Sequence, residues 1–285
     1  MRLWPMALLL SLISTDGATD PSPSDAERLM DSIRVLSQIT TGQKLLKLAQ
    51  TQWGLTHSHE VVTKFRFGDV SRTDAVLTRH FSPSTGKEVR EREVTIYLRR
   101  DQGLDEQVLD IAHELTHATS GPSWDPYDPE LTAASYIRAS LEAPGGEVDA
   151  LVNECRVASE LENHFGRANA LNVSYGRCRR YRTEAGLIDR ERVVADFYRV
   201  GPWKSPLQQT LGADAKMFRY LSGKTPQLYS STGQAPYPVA LLKEYGEITD
   251  LACRNSRKRL VQSGVAPSDR KIASQAERFV TKRCR

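Results

Sequence analysis

The chain has 285 residues, a net charge of +4, 26% charged and 39% apolar side chains, a composition that excludes a disordered protein and a polytopic membrane protein. So mild a charge creates no field that calls for a nucleic acid. Four cysteines without a CxxC pair exclude a disulfide-dense miniprotein and a cysteine zinc ribbon.

Residues 1–14, MRLWPMALLLSLIS, place one cation, Arg2, before a short apolar run, and the small residues Thr15, Gly17 and Ala18 follow. This is the layout of a secretory signal peptide, and the run falls short of the ~20 residues a bilayer span requires. Residues 1–18 are therefore expected to be removed on export, to the periplasm or the exterior, with no membrane association afterwards. Export sets Cys155, Cys178, Cys253 and Cys284 in an oxidising compartment, where an even set implies two disulfides. Three connectivities are possible; the local one pairs Cys155 with Cys178 and Cys253 with Cys284.

Helical spacing of Leu29, Ile33, Leu36, Ile39, Leu45, Leu46 and Leu48 predicts a helix from residue 24 or 25 to about residue 50, broken at Gly42. Period-two patterns predict strands at residues 61–67, 74–81 and 93–99, the last two separated by the turn SPSTGK at 82–87. Three such strands suggest an antiparallel meander. Helices are predicted at 104–119, 130–142 and 147–165, the second ended by Ala143-Pro144-Gly145-Gly146. The C-terminal third is rich in Lys and Arg, with helical stretches at 187–200, 239–261 and 268–282. The cluster Arg177, Arg179, Arg180 and Arg182 reads as a solvated face rather than a polyanion site. Asn172-Val173-Ser174 matches a glycosylation acceptor. The expected organisation is a signal peptide at 1–18, a catalytic domain at 19–185 and a helical subdomain at 186–285.

Residues 113–117 are His-Glu-Leu-Thr-His. Histidines at i and i+4 project from one side of a helix and can reach one ion, while Glu114 between them can meet a water instead of coordinating. Val108, Ala112, Leu115 and Thr119 form a packing stripe; Leu109, His113 and His117 form the stripe beside it. Metal binding by His113 and His117 is expected.

The strand EREVTIYLRR (91–100), a short loop and then VLDIAHELTHATS (108–120) resemble the zincin metallopeptidases, over about residues 60–165. Residues 39–49, ITTGQKLLKLA, are similar to a segment upstream of HExxH in some bacterial zinc peptidases. The resemblance implies an α+β fold: a small antiparallel sheet packed on the HExxH helix, its edge strand lining the substrate cleft, followed by a mainly helical C-terminal part. It also implies Zn2+ as cofactor, a protein or peptide substrate, and Glu114 as general base. The metzincin extension HExxHxxGxxH would put its glycine and third histidine where this chain has Ser120 and Ser123, so the third ligand is expected from a gluzincin-like glutamate on a later helix.

Residues 147–165 offer two. Glu147, Ala150, Leu151, Glu154, Ala158 and Leu161 share one face, and acids on an otherwise apolar stripe require a cation or hydrogen bonds. Glu147, with E-x-x-A spacing to Ala150, is favoured. Glu154, in an Asn-Glu dipeptide, is the alternative, and the other acid would serve as acceptor for a ligand histidine. Asp125 and Asp128 are outsiders. Tyr127, Tyr136, His164, Tyr175 and Tyr198 are candidate oxyanion donors among which spacing does not choose. The sequence thus points to an exported zinc metallopeptidase; the alternatives are a non-hydrolytic secreted metal-binding or interaction protein on a zincin-like fold, and a helical protein with a chance HExxH that binds no zinc.

Overall fold

Gly42 does not end a helix. In the computed structural model, which describes residues 23–81, 88–165, 173–231, 234–262 and 267–284, the first helical region is α1 (Pro23–Leu36) followed by α2 (Thr40–Trp53). The break lies at residues 37–39. Gly42 sits in the first turn of α2, where a Cβ would meet the Leu36 carbonyl oxygen at 2.0 Å; glycine is needed there for the close approach of two backbones.

The first strand is also shorter than its alternation suggests. Residues 58–64 form a 3₁₀ helix, because the Glu60 carboxylate accepts from the Thr56 and His57 amides at 2.8 and 3.2 Å and holds the chain in a turn. Strand β1 is left with Phe65–Gly68. It is followed by β2 (Arg72–Phe81) and β3 (Glu88–Arg99).

The expected antiparallel meander is corrected to a mixed sheet of order β1-β3-β2, with β3 parallel to β1 and antiparallel to β2. Phe65 and Thr73 both pair with Ile96, from opposite sides. The link at 69–71 therefore steps over the end of β3, a span of about 10 Å or two strand spacings, instead of turning β2 back onto β1. As a result β2 is an edge strand.

Helix α3 (Leu104–Ala118) carries the HExxH sequence. Its Val108, Leu109, Ile111, Ala112, Leu115 and Ala118 are fully buried against the sheet, α1 and α5 (Glu147–Phe165). From Ile111 to Ala118 only His113 and His117 keep partial exposure. Arg92 of β3 donates to the carbonyls of Ala118 and Ser120 at 3.0 and 2.7 Å, filling acceptors that a helix end leaves open and fixing the sheet to the end of α3.

Between α3 and α5 lies α4 (Ala133–Glu142), which starts later than predicted because Thr132 and Ser135 form a capping box. Beyond α5 come α6 (Val173–Arg179), α7 (Arg190–Phe197), α8 (Lys204–Leu211), α9 (Tyr237–Gln262) and α10 (Pro267–Arg283). Neither α6 nor α8 has an apolar period long enough to be read from the sequence.

One cluster of buried apolar residues extends from Leu29 to Ile248, and a second, small one holds Ala252, Cys253 and Phe279. Disulfides join Cys155 to Cys178 and Cys253 to Cys284, the local pairing, and suit an oxidising environment. Among the described residues no helix is long and apolar enough to cross a membrane. The signal-peptide segment 1–18, the turn at 82–87 and Asn172 lie outside the described residues.

Candidate metal centre

Two glycines bring the site together. Gly145, at φ 75°, packs so closely on the end of α3 that a Cβ would lie 2.1 Å from the Ser120 side chain, and one on Gly146 would lie 2.7 Å from the Ser140 carbonyl oxygen. This tight turn starts α5 directly beside the exposed edge of α3, so Glu147, its first residue, faces both histidines.

Glu147 Oε2 is 3.5 Å from His113 Nε2, and Glu147 Oε1 is 3.7 Å from His117 Nε2. One ligand atom from each of His113, His117 and Glu147 lies within 4.8 Å of the others, so the three can hold a metal ion. The far sides of both rings are fixed. His117 Nδ1 is 2.8 Å from the Gly145 carbonyl oxygen; a carbonyl only accepts, so Nδ1 carries a hydrogen and Nε2 of the neutral ring presents its lone pair. His113 Nδ1 is 3.1 Å from Glu154 Oε2, which favours the same tautomer. Glu147 Oε2 is buried without a hydrogen-bond partner. Two ring nitrogens and a buried carboxylate thus face one point, and a buried carboxylate is costly without a cation or donors, so the donor set fits a metal.

The two candidate glutamates therefore occupy different positions. Glu147 is at the Nε2 side with the pair of histidines, and Glu154, two turns further along α5, is behind His113. Burial pushes the Glu147 carboxyl up, but the charge of His117, the hydrogen bond and charge of His113, and the Tyr237 hydroxyl outweigh it and leave it below the ordinary carboxylate range. Burial likewise acts on Glu154, where the Arg177 charge and His113 prevail and the result is again a lowered pKa. Burial lowers the His113 pKa, but the carboxylates of Glu147 and Glu154 on its two sides outweigh it and, without a metal, hold it well above the usual imidazole value; a metal would take the place of its Nε2 proton.

Glu114 is 6% exposed. Thr73 of β2 donates its hydroxyl to Glu114 Oε2 at 2.7 Å. Burial raises its pKa, against the opposing pull of His113, His117 and Thr73. All these groups line one cleft of about 750 Å3, whose walls include Ser71, residues 72–75 of β2, Trp124, Tyr136, Tyr237 and Glu244.

The remaining sequence candidates separate. Tyr136 lines the cleft. Tyr127 packs on Phe279, Tyr198 donates to Glu142 at 2.6 Å, His164 is exposed at the end of α5, and the Tyr175 side chain lies outside the described residues. Asp125 and Asp128 accept from the Tyr127 and Glu130 amides at 2.9 and 2.8 Å, as turn acceptors outside the triad. Three residues were missed: Thr73, which holds Glu114, Tyr237 and Arg177. Tyr237, at the start of α9, lines the cleft beside Glu147, and burial followed by that carboxylate raises its pKa well above normal. Arg177 pairs with Glu154.

The arginine cluster keeps part of its solvent exposure but is paired with acids: Arg179 and Arg182 both bridge to Glu162 at 2.7 Å, and Arg180 faces Asp196 at 3.8 Å. No local spacing relates Tyr237 or Arg177 to the HExxH sequence. No protein-family model, curated protein or solved structure matches the chain.

Proposed function

We propose that the chain is an exported zinc-dependent peptidase in which His113, His117 and Glu147 hold the ion and Glu114 is the general base. The observation that supports this most directly is the convergence of two Nε2 atoms, their rings fixed from behind at Nδ1, on the two oxygens of one buried carboxylate. Two histidines and a glutamate form the donor set of hydrolytic zinc sites, with a further position left for water. A zinc ion supplies a Lewis acid there and brings water into the ionisable range near neutral pH.

The protein's own groups divide the remaining work. Glu114 takes the proton of the attacking water and passes it to the leaving amine. Thr73 holds one oxygen of that carboxylate and so orients the other. Tyr237, kept protonated by burial, can donate to Glu147 and steady it. The edge strand β2 borders the cleft with residues 72–75, and an extended peptide can add to such an edge by main-chain hydrogen bonds. This favours a protein or peptide substrate over a compact small molecule. The two disulfides agree with an exported, secreted or periplasmic location.

The test is Glu114→Gln, assayed on a broad peptide library beside chelator-treated enzyme. Zinc content is expected to stay at the wild-type level while hydrolysis falls at least about a hundredfold, since a positioned base contributes 10²–10⁴. Equal cleavage by wild type and variant would place the activity elsewhere. Zinc uptake without any cleavage would favour the non-hydrolytic metal-binding protein.

A further inference from the structure

We propose that Arg177 is a positioning residue of the metal centre, acting through Glu154 on His113, and that the Cys155–Cys178 disulfide is the clamp that keeps it in place. The proposal rests on the reading of His113 as a metal ligand.

Glu154 is a bridge. Its side chain is 3% exposed. Oε2 lies 3.1 Å from His113 Nδ1 while Oε1 accepts from Arg177 Nη2. One carboxylate oxygen thus serves the ligand and the other serves the cation. The pinned acceptor fixes the rotation of the His113 ring and keeps a hydrogen on Nδ1, which aims Nε2 at the point it shares with Glu147 and His117. A carboxylate with only one oxygen held can rotate, and this one sits in the wall of the cleft. A nearly dry carboxylate that loses its cation is also strongly disfavoured where it stands.

What holds Arg177 is local and covalent. It belongs to α6, a helix of 7 residues, too short to be stable alone. Its Nε is buried and has no hydrogen-bond partner, so the guanidinium owes its position to Glu154 and to the backbone beneath it. That backbone is tied down by the disulfide: Cys155 directly follows Glu154, and Cys178 directly follows Arg177. The bond therefore sits one residue from each end of the ion pair. Arg179 docks α6 a second time, on Glu162, but Glu162 has no link to either histidine and provides an internal control.

The experiment uses the full disulfide-bonded chain, stripped of metal. Zinc affinity is read by competition with a chromophoric chelator, and ligand geometry by the visible bands of the Co2+-substituted protein. Arg177→Gln is expected to weaken zinc binding about tenfold, the lower end of what loss of an outer partner costs, and to shift the cobalt bands. Arg177→Lys, which keeps a cation without the fork, should recover most of the affinity. Arg179→Gln should match wild type in both readouts. The Cys155→Ser/Cys178→Ser double variant should fall to the level of Arg177→Gln.

Wild-type affinity and an unchanged cobalt spectrum in Arg177→Gln would overturn the proposal. So would an equal fall in Arg177→Gln and Arg179→Gln, which would mean that α6 merely docks. Full affinity in the double cysteine variant would remove the clamp. A wild-type chain that takes up neither zinc nor cobalt is a different result, since it overturns the metal reading itself.

Discussion

The two disulfides lie in regions built on opposite principles. Around Cys155–Cys178 the core is large: α3 and α5 bury an apolar side chain at nearly every turn, and the fold there needs no staple. Its polar groups are committed instead, with an acceptor at each histidine's Nδ1 and glycines at the contact of α3 with the start of α5. Around Cys253–Cys284 the buried cluster among the described residues is Ala252, Cys253 and Phe279, with Tyr127 and Cys284 against it, and the surrounding sequence is basic. Here a cross-link between α9 and the end of α10 adds to the stability that the packing supplies. In the first region covalent and polar bonds set geometry; in the second they set stability.

The sharpest break in that comparison comes from the ligands. His113→Ala, His117→Ala or Glu147→Gln should abolish most zinc binding, measured as zinc per chain after dialysis, because each removes one of three donors. The C-terminal hairpin should be unaffected, with amide exchange in α9 beyond residue 252 and in α10 at wild-type rates. Full zinc retention in all three variants would dissolve the distinction between the regions.

The next effect belongs to the second region. The Cys253–Cys284 bond spans 31 residues of sequence and ties the end of α10 to α9. Its removal in Cys253→Ser/Cys284→Ser should cost about 2–4 kcal/mol, seen as fast amide exchange confined to α10 and the end of α9. Zinc affinity should not change. A loss of zinc affinity here would show that the hairpin takes part in the site after all.

How much of this was legible in the sequence follows the same division. The helices α3, α5, α9 and α10 carry long apolar periods, and their predicted limits lie within a few residues of those observed. The strand at 61–67 was misread because its alternation is real while the Glu60 carboxylate, which turns the chain, gives no periodic signal. Glu147 and Glu154 share a helix face, so spacing could not separate their surroundings. What separates them is where α5 begins, and Gly145 and Gly146 decide that through contacts with Ser120 and Ser140. Arg177 was hidden in a run of arginines that looks like a solvated face, because its partner on α5 is 23 residues away. Tyr237 reaches the site from a helix whose first turn has no pattern in common with HExxH.

A smaller effect tests the bridge itself. Glu154→Gln keeps an acceptor near His113 but removes the charge, so zinc should bind about 10–100-fold more weakly, well short of the loss in Glu147→Gln. Equal losses in the two variants would mean that both glutamates contact the ion.

The smallest effect comes from Glu162, which takes Arg179 and Arg182 on the outer part of α5. Burial opposes its ionisation, but the hydrogen bonds and charges of the two arginines prevail and its pKa is lowered. A carboxylate whose pKa is lower folded than unfolded stabilises the fold above its unfolded value, near 4.3. That stabilisation is lost as the pH falls through the folded value. Both arginines keep substantial exposure, so solvent screens the pair and about 1 kcal/mol is the most to expect. Glu162→Gln should accordingly lower the chemical-denaturation midpoint slightly at pH 7, with no difference from wild type once both are titrated below the folded pKa. Zinc affinity should be equal at pH 7. A metal defect in this variant would mean that α6 acts on the site by docking as a whole, and the special place given to the Glu154 bridge would go with it.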